Sequence, residues 1–319
     1  MTLAHKTATA AVIALFVACA TPDATQMTSV KNPDHALVSR DARPDHEGKP
    51  DLIVDEPTLG SSWVMYNETI PEGCTAEEGE VVPGEHRTLR FSVTTPNIGD
   101  ADVFIGDPNK HFNPDGDPNT ADGDGLFEYA SCHAHYHFRH YATYELIAIN
   151  PDGSLGQSIV AAKRGFCMID VKPYRSDIAS PKAWVYRSCG RPAIGGFPAL
   201  AGNQGISTGY ADQYNKQLAG QFFVVDNLPA GPYLIRIYVN PPFVAQNGEP
   251  CPAKDPAGFC HMLEESNYAN NVGQVRITLP EGRAGKKGWG PGGGEELPSD
   301  IYDLDPDAFK LGVKTHTHK

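Results

Sequence analysis

The sequence predicts an all-β, β-sandwich-like domain with long loops and little helix. Several segments have the alternation of apolar and polar residues that half-buried strands show. Glycine (32 residues) and proline (27 residues) are abundant, which favours many turns between short strands. No convincing amphipathic helical pattern occurs between residues 50 and 280. Strands separated by turn signals in this way are typical of a sandwich.

Four segments carry the strand pattern. In residues 89–93, Leu, Phe and Val alternate with polar residues, and residues 144–149 are rich in strand-forming residues. A Pro-Ala-Gly-Pro turn precedes the third segment, residues 233–239. In the fourth, residues 275–279, Val, Ile and Leu again alternate with polar residues. We expect each segment to be a strand with one face toward the core.

The N-terminal 20 residues are predicted to be a signal peptide. Their apolar run, residues 10–18, is too short to span a membrane. Residues 18–20 fit the small-x-small pattern of a signal peptidase site, whereas residues 17–19 resemble a lipobox that would anchor the protein through a lipid on Cys19. Either site predicts export, to the extracellular space or the cell envelope, and no other segment predicts a transmembrane span.

Composition divides the rest of the chain into three parts. Residues 21–49 lack apolar periodicity and are predicted to be a flexible linker. Residues 50–280 form the predicted domain, and residues 281–319 form a mobile tail, first Gly-rich and then acidic. His316 and His318 in this tail are not assigned to a site.

The formal net charge of −13 argues against nucleic acid as a partner. An acidic surface attracts cationic substrates such as amines or lysine-containing proteins, or it serves only to keep an exported protein soluble. The chain has seven cysteines, and removal of Cys19 leaves six. An even number in an exported protein predicts three disulfides, for which fifteen pairings exist.

The most informative motif is Cys132-His-Ala-His-Tyr-His137. If this segment is a strand, the alternation places His133, His135 and His137 on one face. Three imidazoles on a rigid face can bind a transition metal and leave coordination positions open, but the spacing does not choose among zinc, copper, iron and nickel. His140 breaks the alternation and is expected beside the ligands or on the surface.

Several blocks between residues 50 and 280 together resemble the catalytic domain of the lysyl oxidase family, in its bacterial form. They occur in the order in which the family has them, and they are Asp51-Leu52, Phe127–Tyr129, Cys132–His137, Ala162–Cys167, Gln204–Tyr214 and Glu265–Asn271. The resemblance implies an oxidase that converts primary amines, including peptidyl lysine, to aldehydes and reduces molecular oxygen. Ammonia and hydrogen peroxide would be the other products.

The resemblance also implies a cofactor, lysine tyrosylquinone, made from Lys163 and Tyr214. Copper is expected at the three histidines, because zinc has no accessible redox step for oxidising the tyrosine. Lys163 stands among apolar residues, and burial there would favour the uncharged, nucleophilic amine. Asp212 is the candidate base for proton abstraction; it would otherwise be a turn aspartate.

Calcium is the second metal that the resemblance implies, at a structural site that ties the start of the domain to its end. Oxygen ligands of this kind suit a hard cation. They come from Asp51, the Leu52 carbonyl, Glu265, Asn267, Asn270 and Asn271. The family has an aspartate where this chain has Asn267. A second acidic segment, residues 113–124, lacks the EF-hand spacing and is expected to be a solvated loop.

By resemblance the disulfides are Cys74–Cys132 and Cys167–Cys189, with Cys251–Cys260 remaining as a local pair. Animal members have additional cysteines around the tyrosine block, where this chain has none. The tyrosine block is therefore expected to be held by packing alone. Two alternatives stay open: an exported copper-binding β-sandwich protein without oxidase turnover, and a metalloenzyme that uses iron or zinc at the three histidines. The oligomeric state and the physiological amine are not predicted.

Overall fold

The computed structural model describes residues 48–111, 126–163, 165–178, 185–194, 196–245 and 251–297. The predicted signal peptide with Cys19, nearly all of the linker, the acidic segment 113–124 and the end of the tail with His316 and His318 lie outside these residues.

The described part of the chain is built from short strands with little helix, which confirms the predicted all-β class. It contains helix α1 (Glu56–Ser62), helix α2 (Cys74–Gly79) and a single 3-10 turn (Pro108–Lys110). In chain order, the strands are β1 (Val64–Ile70), β2 (Gly84–Arg90), β3 (Val93–Pro96), β4 (Val103–Gly106), β5 (Phe127–Ala130), β6 (His135–Phe138), β7 (Ala142–Ile149), β8 (Leu155–Val160), β9 (Lys172–Pro173), β10 (Gln204–Ile206), β11 (Tyr210–Tyr214), β12 (Phe222–Val224), β13 (Gly231–Val239), β14 (Ala253–Lys254), β15 (Cys260–His261) and β16 (Val272–Leu279).

The largest sheet has four antiparallel strands in the order β16-β13-β7-β8. Three of the four predicted strands lie in it, since residues 144–149, 233–239 and 275–279 fall within β7, β13 and β16. Ile235 of the central strand β13 pairs with Val275 on one side and with Leu146 on the other. Ile235 and Leu146 are fully buried, so the alternation in sequence reports the core face of this sheet.

The fourth predicted strand, residues 89–93, is divided between two sheets. Strand β2 ends at Arg90 in a sheet of order β1-β2-β12, and β3 begins at Val93 in a sheet of order β3-β11-β9. At the crossing, the Ser92 N–H donates to the Ser62 hydroxyl at 2.9 Å, and the Ser92 hydroxyl accepts from the Lys216 N–H at 3.0 Å. Serine hydroxyls, and not a neighbouring strand, accept these two backbone N–H groups. The alternating residues 89–93 therefore belong to two different sheets.

The sheets share one hydrophobic core, and Phe91 lies where they meet. Its ring stacks on Phe223 of β12 at 5.1 Å between centroids and meets the edge of Tyr144 of β7 at 5.3 Å. All three side chains are buried. The small sheets are therefore joined through aromatic packing rather than through a common hydrogen-bond ladder.

Residues 281–297 pack against the domain, although the sequence predicted a mobile tail from residue 281. Trp289 and Met65 exchange backbone hydrogen bonds of 2.8 and 2.9 Å, which adds a bridge at the edge of β1. The Trp289 ring lies 5.6 Å from that of Trp63. Among the described residues, no helix combines the length and apolarity needed to cross a membrane.

Replacing Phe91 by alanine tests whether the sheets depend on this shared core. Phe91→Ala is expected to lower the free energy of unfolding by about 3–5 kcal/mol, because it leaves a cavity between two buried rings. Leu155→Ala is the control, because Leu155 is 49% exposed, and it should change stability by no more than about 0.5 kcal/mol. Urea unfolding with the disulfides kept oxidised measures both; similar losses in the two variants would contradict the assignment.

Candidate active site

The three motif histidines gather at the end of the β5–β6 hairpin. Strand β6 begins at His135, and Glu128 of β5 pairs with His137 of β6. His133 lies before the strand, in the turn that joins β5 to β6, so the prediction of one strand through all three histidines is wrong for His133. Ala134 turns the chain with a left-handed φ of 59°. This turn, and not strand alternation, brings the His133 ring to the same side as the other two.

The three imidazoles form a compact, buried cluster. The centroid of the His133 ring is 5.4 Å from those of His135 and His137, which lie 4.9 Å from each other. The Nε2 atoms of His135 and His137 are 3.0 Å apart. All three side chains are buried, and burial lowers the pKa of His137 well below its usual value. A neutral imidazole is the form that binds metals.

A carboxylate that sequence reasoning missed completes this cluster. Glu78 Oε1 lies 2.7 Å from His133 Nε2 and 3.6 Å from His137 Nδ1. The carboxylate and these two rings could hold an ion, since one donor atom from each lies within 4.8 Å of the others. His135 lies outside this group of three and joins it through the Nε2 of His137.

The position of Glu78 follows from the helix and the disulfide together. Glu78 stands four residues after Cys74 in α2, so the two side chains share one face of the helix. Cys74 forms a disulfide with Cys132, the residue before His133. The sequence predicted no helix here, and the Cys74–Cys132 disulfide came only from the resemblance, so nothing in the sequence singled out Glu78.

The Lys163 amine lies on the far side of the same carboxylate. Its Nζ forms a hydrogen-bonded ion pair with Glu78 Oε2, and only 2% of the lysine side chain is exposed. Burial alone would raise the pKa of Glu78, but the charge of Lys163 and the contacts with His133 and His137 lower the pKa to about 2. Lys163 is buried, as expected, and its amine is paired with a carboxylate.

Lys163 and Tyr214 are close together, although they are far apart in sequence. Lys163 Nζ lies 5.4 Å from the centroid of the Tyr214 ring. The edge of Phe166 packs against Tyr214 at 5.1 Å, and the Tyr214 hydroxyl donates to the Cys167 carbonyl at 3.0 Å. Phe166 also exchanges backbone hydrogen bonds with Phe138 of β6. The lysine, tyrosine and histidine blocks therefore meet in one place.

Asp212 lies in the same strand, β11, two residues before Tyr214, so the two side chains share one face of the strand. It is fully buried, and its Oδ1 accepts the Gln213 N–H at 2.8 Å. Its charge and a hydrogen bond from Tyr141 add to the burial that raises the pKa of that tyrosine far above its usual value. Asp212 is thus a strand residue and not a turn aspartate.

His140 is buried, so the surface position that its place in the sequence left open is wrong. Its ring lies 6.1 Å from that of Phe138. Among the described residues, it belongs to neither group of side chains whose donor atoms could share one ion.

The donor set fits a transition-metal ion. Atoms that bind one ion at about 2.0–2.2 Å lie roughly 3–3.6 Å apart in a tetrahedral site. The separations of 3.0 and 3.6 Å within the cluster are of this size, and that of 2.7 Å is slightly shorter; the donors are imidazole nitrogens and one carboxylate oxygen. Copper and zinc both accept such donors. His137 faces His135 with Nε2 and Glu78 with Nδ1, so its ring can offer only one of these contacts to an ion.

The structure contains the three disulfides that the resemblance implied, Cys74–Cys132, Cys167–Cys189 and Cys251–Cys260. The first ties α2 to the histidine turn, and the second fixes the chain directly after the lysine block. Loop closure of this kind contributes about 2–4 kcal/mol per bond.

The tyrosine block is held by more than packing, which corrects the expectation from the missing cysteines. Asp170 accepts hydrogen bonds from the Ser207 N–H and hydroxyl at 2.7 and 2.6 Å, and Asp102 accepts the Thr208 N–H at 2.8 Å. Both carboxylates are buried. They fix the turn between β10 and β11, which leads into the strand of Tyr214.

A second group of oxygen-bearing side chains connects the start of the domain to its end. Asn270 donates to Asp51 at 2.8 Å, and Asn271 donates to Glu265 at 2.7 Å. The Oδ1 atoms of both asparagines are buried, and no hydrogen-bond donor of the described residues reaches them. Burial, opposed by hydrogen bonds from Asn240 and the Leu52 N–H, raises the pKa of Glu265 to about 8.

Of the other residues predicted at this second site, Leu52 takes part through its N–H, which donates to Glu265 Oε2. Asn267 is exposed, and its side chain accepts the Ala269 N–H at 3.0 Å. The structure therefore brings together Asp51, Glu265, Asn270 and Asn271 but leaves Asn267 outside the group. Buried oxygen atoms without donors fit a hard cation.

An all-β domain with a buried histidine cluster beside a lysine–tyrosine pair defines a protein with a candidate metal centre, and comparison with known proteins gives its family. A model of the lysyl oxidase family matches residues 68–249, so the chain belongs to the lysyl oxidase family. It is 26% identical to protein-lysine 6-oxidase of Sus scrofa over 243 residues, which cover 72% of the chain and 76% of that relative.

Two human relatives are similar at the same level. Protein-lysine 6-oxidase of Homo sapiens is 25% identical over 237 residues, which cover 70% of the chain and 44% of that relative. Human lysyl oxidase homolog 1 is 25% identical over 250 residues, which cover 74% of the chain and 34% of that relative. The chain thus matches less than half the length of these two relatives.

Gly165 tests whether the position of His137 controls metal binding. A methyl group there would meet Cβ and Nδ1 of His137 at 2.8 Å, and also the Glu128 carboxylate. We expect Gly165→Ala to displace the His137 ring and to weaken Cu²⁺ or Zn²⁺ binding by about 10- to 100-fold. Gly285→Ala is the control, because a methyl group there meets nothing within 4 Å. Competition with a chelator measures the affinities; unchanged binding in Gly165→Ala would remove His137 from the metal site.

Proposed function

We propose that this chain is a copper-dependent amine oxidase of the lysyl oxidase type, with a lysine tyrosylquinone cofactor formed from Lys163 and Tyr214. The observation that carries the proposal is the approach of the Lys163 amine to within 5.4 Å of the Tyr214 ring centroid, beside a buried histidine cluster. Membership of the lysyl oxidase family and relatives named protein-lysine 6-oxidase support it.

His133, His135 and His137 are the proposed copper ligands. Their buried, clustered imidazoles suit copper, at which divalent metal affinities peak. Bound copper supplies the redox chemistry that oxidation of a tyrosine ring requires and that zinc lacks. The Cys167 backbone holds the Tyr214 hydroxyl, and the edge of Phe166 packs against the ring, so this chain presents Tyr214 in one fixed orientation.

The proposed substrate is a primary amine, with peptidyl lysine favoured over small amines by the names of the relatives. One turnover consumes the amine, one O₂ and one H₂O, and yields the aldehyde, one NH₃ and one H₂O₂. The cofactor supplies the carbonyl chemistry, while the protein binds the amine and orients it toward the cofactor. Asp212, buried on the face of β11 that carries Tyr214, is the proposed base for the proton on the carbon beside the amine.

The net charge of −13 supports a cationic amine as substrate and argues against a nucleic-acid partner. The signal-like N-terminus and the disulfides support export, either as a free protein or anchored through Cys19. The domain division at residues 21–49, 50–280 and 281–319 belongs to the same proposal, except that residues 281–297 pack on the domain.

Calcium is proposed at the second site, through Asp51, Glu265, Asn270 and Asn271. The buried Oδ1 atoms of the two asparagines, which no donor within the described part of the chain reaches, support this assignment. The Leu52 carbonyl and Asn267 remain part of the proposed set by resemblance, with Asn267 the weaker member because its side chain bonds to the Ala269 N–H. The role is structural, since the site connects the start of the domain to the loop before β16.

Peptide mass mapping of protein matured with copper tests the oxidase proposal. We expect one cross-linked pair containing Lys163 and Tyr214, quinone absorption, and hydrogen peroxide released on addition of a primary amine. Lys163→Met and Tyr214→Phe should each abolish all three signals while copper still binds. Lys254→Met, at an exposed lysine of β14, is the matched control and should behave as wild type.

Separate, unmodified Lys163 and Tyr214 peptides in copper-loaded protein would contradict the oxidase proposal and leave an exported copper-binding β-sandwich. Metal analysis of protein matured in a mixture of copper, zinc and iron tests the remaining alternative. Bound copper would support the oxidase or the copper-binding protein, whereas bound iron or zinc would support an iron or zinc enzyme.

Thermal unfolding with and without Ca²⁺ tests the second site. A cation that binds only the folded state adds about 2.7 kcal/mol to the free energy of unfolding at 100 times its Kd. We expect this gain for wild type, its reversal by a chelator, and its loss in Asp51→Asn, which removes a ligand charge. Asp152→Asn, in the exposed turn before β8, is the control that should keep the gain. Equal gains in wild type and Asp51→Asn would move the site elsewhere.

A further inference from the structure

We propose that Glu78 is a positioning residue of this centre, whose carboxylate ties the metal-binding histidines to Lys163. One oxygen, Oε1, lies among the histidine nitrogens, 2.7 Å from His133 Nε2. The other oxygen, Oε2, holds the Lys163 amine in a hydrogen-bonded ion pair. A single side chain thus fixes the distance between the metal site and the lysine.

The geometry leaves this carboxylate little freedom. The Glu78 side chain is 12% exposed, and those of His133 and Lys163 are 2% exposed. Separating a buried ion pair costs several kcal/mol, because each charge would be left without water or a partner. Before the cross-link forms, the ion pair therefore keeps the Lys163 amine near the Tyr214 ring, 5.4 Å from its centroid.

Two features of the backbone place Glu78 for this role. The Cys74–Cys132 disulfide fastens α2 to the turn that carries His133. Gly220, with a left-handed φ of 66°, lets α2 and the lysine block approach each other, because a methyl group there would lie 2.9 Å from Glu78 Cβ and 3.2 Å from Lys163 Cβ. Glycine, which has no side chain, is therefore the residue that fits at position 220, where Glu78 and Lys163 lie close together.

The inference rests on the proposed function for its cofactor step, but its metal-binding step can be tested separately. Wild type, Glu78→Gln and Glu77→Gln are prepared without metal. Glutamine keeps the shape of the side chain and removes its charge. Glu77 is the matched control, because it is the neighbouring carboxylate on α2 and is exposed. The first readout is the Kd for Cu²⁺ by chelator competition. The second is the rate at which the cross-linked Lys163–Tyr214 peptide forms at saturating copper in air-saturated buffer, with O₂ as the oxidant of the tyrosine ring.

For Glu78→Gln we expect copper affinity to fall by about 10- to 100-fold, as for other residues that orient metal ligands. Cross-link formation should slow at least tenfold even when copper saturates the site, because the lysine is no longer held. Glu77→Gln should match wild type in both readouts. A rate equal to wild type at saturating copper, or an unchanged Kd, would overturn the proposal.

Two outcomes need separate handling. If wild type forms no cross-link, the oxidase proposal fails, and the copper affinities then decide the role of Glu78 alone. If Glu78→Gln does not fold, Glu78→Asp replaces it. This variant keeps the charge but is one methylene too short to reach both the histidines and Lys163, so slow cross-linking is again expected and a wild-type rate would overturn the proposal.

Discussion

A buried lysine needs a partner for its charge, and the arrangement of this centre follows from the partner that Lys163 has. Glu78 neutralises it and also contacts two imidazoles, so the lysine and the histidines share one carboxylate. The low pKa of Glu78, about 2, is the electrostatic consequence. Any change that moves this carboxylate must disturb both the histidines and the lysine. The disulfide at Cys74 and the glycine at residue 220 are the covalent and steric means by which the chain prevents that movement.

The fold serves this centre by bringing loops together around a common core. Strand β11 carries Tyr214 in one small sheet, and the hairpin of β5 and β6 carries the histidines in another. Lys163 lies in neither, since it follows β8 at the edge of the largest sheet. These sheets share no ladder, so their relative positions depend on contacts such as the Phe138–Phe166 bridge and the packing of Phe166 on Tyr214. The relative positions of the histidines, Lys163 and Tyr214 therefore depend on how three sheets pack together, including core contacts that lie away from these residues.

The sequence predicted most of the large sheet and singled out the histidines, the lysine and the tyrosine that the structure brings together, but not how they are arranged. The strands predicted at residues 233–239 and 275–279 are present as β13 and β16. Their sequence patterns predicted them correctly because each of these strands has one buried face. Residues 89–93 have the same alternation but cross between two sheets, since periodicity records burial and not hydrogen-bond partners. His133 was assigned to a strand from its spacing to His135 and His137, although it lies in a turn. Glu78 was missed because its role depends on helix α2, which was not predicted, together with a disulfide between residues that are distant in sequence.

The tyrosine block shows how buried carboxylates can hold a turn that carries a site residue. Asp170 and Asp102 are buried and accept backbone N–H groups of Ser207 and Thr208, which lie in the turn before β11. Charged acceptors make stronger hydrogen bonds than neutral ones, and in a buried turn the alternative is an unsatisfied N–H. These bonds restrain the turn, and β11 continues directly into Tyr214. Hydrogen bonds to buried carboxylates thus position the tyrosine, and the nearby Cys167–Cys189 disulfide restrains the lysine side of the centre.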